Sequence, residues 1–100
     1  MLVLPAELTH AQAQPCLQML LQAARAEVGS QLLVDASALV RFDSSALAVL
    51  LACRRECLGD GKGFAVRGLP PRLRELAGLY GVQALLPDPA APDAVVLAAA

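Results

Sequence analysis

Few side chains in this 100-residue chain are equipped for chemistry, and their spacing narrows what they can do. The sole histidine, His10, follows Thr9, and the most promising hydroxyl is Ser44 in the run Asp43-Ser44-Ser45. A Ser/His/Asp triad needs a base and an orienting acid brought to the nucleophile, and nothing around Ser44 has the G-x-S-x-G form of a nucleophile elbow. Cys53 and Cys57 are four residues apart and share a helix face, which supplies one edge of a two-thiolate metal site. Completing a zinc site takes further ligands, and only His10 and Cys16 are on offer, so the thiols read as core groups. Gly59-Asp60-Gly61-Lys62-Gly63 is too short for a phosphate-binding P-loop and lacks its Lys-Ser/Thr ending; these glycines read as a helix stop and a turn. With no carboxylate pair at useful spacing either, the chain is expected to bind partners rather than catalyse, and to need no cofactor or metal.

Asp43-Ser44-Ser45 has a second chemistry. Placed before an apolar helical run, these side chains are N-capping groups. A hydroxyl at that end of a helix lies among unpaired N–H groups and the positive end of the macrodipole. Phosphorylation there would add about −1.5 to −2 charges and oppose docking on an apolar or acidic surface. A capping role and a switching role are compatible.

The elements that must position this run follow from the hydrophobic pattern. Leu2-Val3-Leu4 reads as a short strand ended by Pro5. Thr9 and Gln12 have capping-box spacing, and Leu17, Leu20, Leu21, Ala24 and Val28 recur at helical intervals, with Gln14, Gln18, Gln22 and Arg25 on the other side. Pro15 belongs in a first helical turn, so the regular helix is expected to begin there and to stop at Gly29. Gln31-Leu32-Leu33-Val34-Asp35 is a strand buried on both faces, 36–42 a loop, and 44–58 a helix of about four turns. Phe64-Ala65-Val66-Arg67 is a further strand. Gly68-Leu69-Pro70-Pro71 leads into a third helix with Leu73, Leu76, Ala77 and Tyr80 on one face and Gly81 at its C′ position, which leaves Tyr80 at the core edge. Residues 82–86 form a short strand or a loop, and the proline-rich stretch after Pro87 marks 88–100 as a tail in which Val95-Val96-Leu97 can dock.

Alternating strands and helices with long crossovers give an α/β fold: a mixed, mostly parallel sheet of about four strands covered by helices, one domain over 1–87. Hydrophobic residues make up 57% of the chain, enough to build a core. The longest apolar run, 46–53, is far below the roughly 20 residues of a spanning helix. Residues 1–5 do not make a secretory signal, and three cysteines fit reduced thiols, so a cytoplasmic protein without membrane insertion is expected. The eight basic residues are interrupted by acidic ones and have no interleaved aromatics, which argues against a nucleic-acid partner.

Val34-Asp35, then Phe42-Asp43-Ser44-Ser45-Ala46-Leu47-Ala48-Val49-Leu50-Leu51, resembles the signature of the STAS domain family. The likeness continues through Gly63-Phe64-Ala65-Val66-Arg67-Gly68, Leu73, Leu76, Leu79-Tyr80-Gly81-Val82 and Leu85-Leu86-Pro87, covering most of 2–87. Within the family the short N-terminal strand and the spacing of the last two segments look most like the MlaB type. The resemblance implies a non-catalytic adaptor that binds the ATPase of a phospholipid-transporting ABC complex and sits at the inner membrane through it. It alternatively implies an anti-sigma factor antagonist switched by a partner kinase that phosphorylates Ser44. Ser44 takes the family's hydroxyl position, and Ala46 stands where the family usually has glycine. The implied partner surface is Asp43, Ser44, Ser45, Ala48, Ala52 and Arg55, the small-residue side of the helix, with Arg54 and Arg55 able to meet partner carboxylates. Leu47, Leu50 and Cys53 are expected to face the sheet. The same surface could pair two copies of the chain.

Overall fold

The computed structural model describes residues 2–27 and 29–88. Five strands and three helices follow one another as β1 (Leu2–Val3), β2 (Glu7–Leu8), α1 (His10–Ala26), β3 (Gln31–Asp35), β4 (Arg41–Phe42), α2 (Ser44–Gly59), β5 (Gly63–Arg67) and α3 (Pro71–Leu79), with a 3₁₀ turn at Gln83–Leu85. The α/β class and the helix-linked parallel strands are those the pattern implies. The strands are distributed differently: a parallel sheet in the order β1-β3-β5, and a separate two-stranded parallel ladder, β2-β4.

Each crossover in the main sheet carries a helix, and strand-to-parallel-strand crossovers are right-handed. Because the sheet is built in one direction, α1 and α2 fall on the same face and pack on each other. The β3–β5 register pairs Leu32 with Phe64 and Val34 with Val66. These four side chains face the helices and share a core with Leu20, Leu50, Leu73 and the three cysteines. Leu33, on the opposite face of β3, is only half buried, and Val3, paired in β1 with Asp35 on that same face, is 57% exposed.

The segment 36–42, expected as a loop, contains β4. Ala6 C=O accepts both Val40 N–H (2.8 Å) and Arg41 N–H (3.0 Å), which sets Arg41–Phe42 alongside Glu7–Leu8. Two-residue strands carry no readable periodicity, so this ladder exists only through the approach of distant segments.

α1 begins at His10, five residues before the expected start. Gln12 Oε1 accepts the Thr9 N–H (2.9 Å) and hydroxyl (2.6 Å), and Gln12 N–H donates to the Thr9 carbonyl (3.0 Å). This capping pair is the one its spacing implies. Pro15 therefore lies inside the helix, with its ring exposed. The expectation that proline marks the start fails because capping and burial of Cys16, Leu20 and Ala24 outweigh one missing amide. The helix stops at Ala26, not at Gly29, and Lys62 Nζ donates to the carbonyls of Ala24 (2.8 Å) and Glu27 (2.5 Å). Val28 lies outside the described residues.

α3 ends as a Schellman motif, with Val82 N–H on Ala77 C=O (2.9 Å), Gly81 N–H on Gly78 C=O (3.1 Å) and Gly81 at φ +71°. Leu73 and Ala77 are buried as expected, but Tyr80, at the helix cap, is 62% exposed rather than at the core edge. Residues 83–85 coil into the 3₁₀ turn, after which Pro87 C=O accepts Val66 N–H (2.9 Å) at the edge of β5. From residue 89 onward the expected tail, Val95-Val96-Leu97 included, lies outside the described residues.

Candidate functional site

Asp43 is the N-cap of α2, with extended backbone (φ −137°, ψ −167°). Its carboxylate is divided between two helices. Oδ1 accepts the Ser45 N–H (2.8 Å) and Oδ2 accepts the His10 N–H (3.0 Å), the first amide of α1, while the Asp43 carbonyl accepts Ala46 N–H (3.0 Å). The His10 amide, followed by the Ser45 amide, holds the Asp43 carboxyl below its ordinary range, because each bond favours the charged form. His10, Asp43 and Ser44 thus lie together without forming a triad. The histidine meets the acid through its backbone, and both carboxylate oxygens are engaged by amides.

Ser44, the first residue of α2, is exposed; Ser45 behind it is half buried. Ala46 is fully buried, so its methyl group is a core contact. Beyond this turn α2 has two sides. Leu47, Leu50, Cys53 and Cys57 are buried, the first three as their spacing implies, while Ala48 and Arg55 are exposed and Ala52 half buried. Ser44, Ala48, Ala52 and Arg55 recur every three to four residues and so run down the outer side, about 16 Å from first to last at 1.5 Å per residue. All six residues singled out in the sequence therefore lie at the start or along one side of a single helix, with Ser45 and Ala52 set lower than the rest.

Two further groups position this site: Asp35, read in the sequence only as the end of its strand, and Gly68, whose part the sequence did not show. Asp35, the buried residue that closes β3, accepts both the N–H (2.9 Å) and the hydroxyl (2.6 Å) of Ser37 on Oδ1, with Arg67 3.9 Å from Oδ2. The Ser37 hydroxyl and amide, in that order, hold the Asp35 carboxyl below its usual range. Across from it, Gly68 adopts φ +71°, and a Cβ there would stand 2.8 Å from Ser37 Cβ. Ala36 N–H donates to Arg67 C=O (2.8 Å) at the same place. The loop leading to Asp43 is thus clamped against the turn after β5. An aspartate followed two residues later by serine is a local signal for this turn; the glycine contact has none.

The cysteines are core groups. Cys16, Cys53 and Cys57 are all buried, and burial first, then neighbouring Cys57, pushes the Cys53 thiol up to about 12. A thiol held protonated in this way is a poor nucleophile and a poor ligand. Among the described residues no group of three or more His, Cys, Asp or Glu is arranged to hold a metal ion, and no helix is long and apolar enough to cross a membrane.

A strand closed by a buried acid, a braced loop, and an Asp-capped helix that starts on an exposed serine sit within a longer likeness. The protein-family model described as MlaB, STAS domain matches residues 1–87. The chain belongs to the STAS domain family. Domains of this family are generally non-catalytic and act in regulation or as adaptors, through protein–protein interaction. No curated protein matches this STAS domain. Ser44, singled out in the sequence, stands at the exposed start of α2 in this STAS domain.

Proposed function

We propose that this STAS domain is an MlaB-like adaptor that docks the outer side of α2 on the ATPase subunit of a phospholipid-transporting ABC complex and supports its assembly or activity. It would act in the cytoplasm, held at the inner membrane through that partner. The observation that carries the reading is the exposed stripe from Ser44 through Ala48 to Arg55, on a helix whose start is fixed from two directions. The MlaB description of the family match supports the choice of partner. Small side chains at Ser44, Ala48 and Ala52 let a partner's backbone or helix approach closely, and a rigid patch loses little entropy on docking. Arg54 and Arg55 appear in none of the ion pairs within the described residues, which leaves them available to partner carboxylates at the rim.

The test is affinity purification of the tagged chain from its native cells, with mass spectrometry of what accompanies it. Recovery of an ABC ATPase and its permease from wild type, and their loss from Ala48→Arg and Ser44→Glu variants that keep the wild-type circular dichroism spectrum, is the expected result. A kinase recovered with phosphorylated Ser44, and no transporter, would replace this reading with an anti-sigma factor antagonist; the exposure of Ser44 keeps its hydroxyl within a kinase's reach.

A further inference from the structure

The amides that a negative charge at Ser44 would seek already have an occupant. Asp43 Oδ1 holds Ser45 N–H, and the orientation this fixes is what carries Oδ2 to His10 N–H, 33 residues away in sequence. His10 N–H is the first amide of α1 and has no helical carbonyl to bond, so Asp43 serves it across the fold. The start of α1 is otherwise built from short-range contacts: the Thr9–Gln12 pair, and Gln12 Nε2 on Glu7 Oε1 (2.7 Å) in β2.

We propose that Asp43 is a charge-sensitive coupling between the exposed face of α2 and the start of α1, such that negative charge fixed at residue 44 withdraws Asp43 from His10 and leaves the first amide of α1 without its acceptor. This rests on the docking reading for its biological use, since it makes the state of Ser44 felt at a second surface. The physical cause is competition. A second anion on the first turn of α2 takes the Ser45 amide for itself and repels the Asp43 carboxylate at a separation well inside the Debye length, where salt screens little. Once Oδ1 leaves, the aspartate side chain turns and Oδ2 leaves with it. A neutral side chain at 44 of similar size does neither.

The experiment is amide NMR on the full chain, comparing wild type, Ser44→Glu, Ser44→Gln and Asp43→Ala, each titrated from pH 7 to pH 2. In wild type the His10 and Ser45 amide signals move together as the Asp43 carboxyl titrates. In Ser44→Glu the His10 amide is expected to lose that acidic transition and shift to its Asp43→Ala position, while Ser44→Gln follows wild type and the Gln12 amide, held by Thr9, stays put. A His10 amide that keeps its wild-type transition in Ser44→Glu overturns the coupling, whatever happens to ATPase recovery. Loss of the His10 transition, with ATPase recovery unchanged in Ser44→Glu and Ala48→Arg, supports the coupling and overturns the docking reading instead.

Discussion

At Asp43 a single carboxylate replaces two missing helical acceptors, which makes this side chain worth more than an ordinary cap. Replacing an N-cap aspartate by alanine removes one amide's partner; here two lose theirs. Asp43→Ala is expected to lower Tm by more than the about 4–8 °C of a typical lost cap in a domain this size, with Asp43→Ser recovering only part because serine reaches one amide. The same residue sets an acid limit. The folded-state carboxyls of Asp43 and Asp35 lie below their ordinary values, so both stabilise the fold fully above the unfolded-state value of about 3.9. Their contribution is lost as pH falls from there through the folded values, where the native state must take up the protons. Urea midpoints measured between pH 7 and pH 2 should be flat near neutrality and fall in that acid range, less steeply in Asp43→Asn.

Among the elements, α1 and the β5–α3 turn hold the two places where backbone preference was overridden. Pro15 removes an amide from the second turn of α1 while its ring stays exposed, so nothing in the core depends on it. Pro15→Ala should therefore stabilise the fold, by about 1–3 kcal/mol after allowing for the freer unfolded chain, measured by urea unfolding. Gly61 and Gly68 form a matched pair at φ +74° and φ +71°, differing in what surrounds them: open space at Gly61, and Ser37 Cβ at 2.8 Å from the site of a Cβ at Gly68. Gly61→Ala should cost about 1 kcal/mol for its conformation alone. Gly68→Ala should cost about 2–3 kcal/mol, the excess reporting the clamp on the loop to Asp43. Equal losses at the two positions would mean that this loop yields freely.

For the molecule as a whole, what could be read from the sequence divides by range. Asp43-Ser44-Ser45, Thr9 with Gln12, and Gly81 were legible because a cap is a contract between residues a few positions apart. The β3 and β5 strands were legible because a short continuous apolar run marks a buried strand, although Leu33 on the far face of β3 is only half buried rather than buried as on the helix side. The β2–β4 ladder, the partition of Asp43 between two helices and the Ser37–Gly68 contact were not, since each joins segments distant in sequence and leaves no periodic trace. The small-residue side of α2 lay between these cases: helical period named its members, but only burial ranks Ser44, Ala48 and Arg55 above Ser45 and Ala52. That ranking makes the docking proposal quantitative. Binding energy concentrates where water is excluded at the centre of a patch, and charges at the rim act mainly on association rate. In a purified complex with the ATPase, Ala48→Arg should weaken binding at least about 100-fold by blocking close approach. Arg55→Ala should weaken it less than about fivefold, chiefly by slowing association, and raising salt should reproduce that loss in wild type. A variant at Arg25, paired with Glu56 at 3.3 Å and placed on α1 outside the stripe, should bind as wild type does. If Arg25→Ala weakens the complex as much as Ala48→Arg, the partner's footprint lies across α1 and α2 together rather than on the outer side of α2.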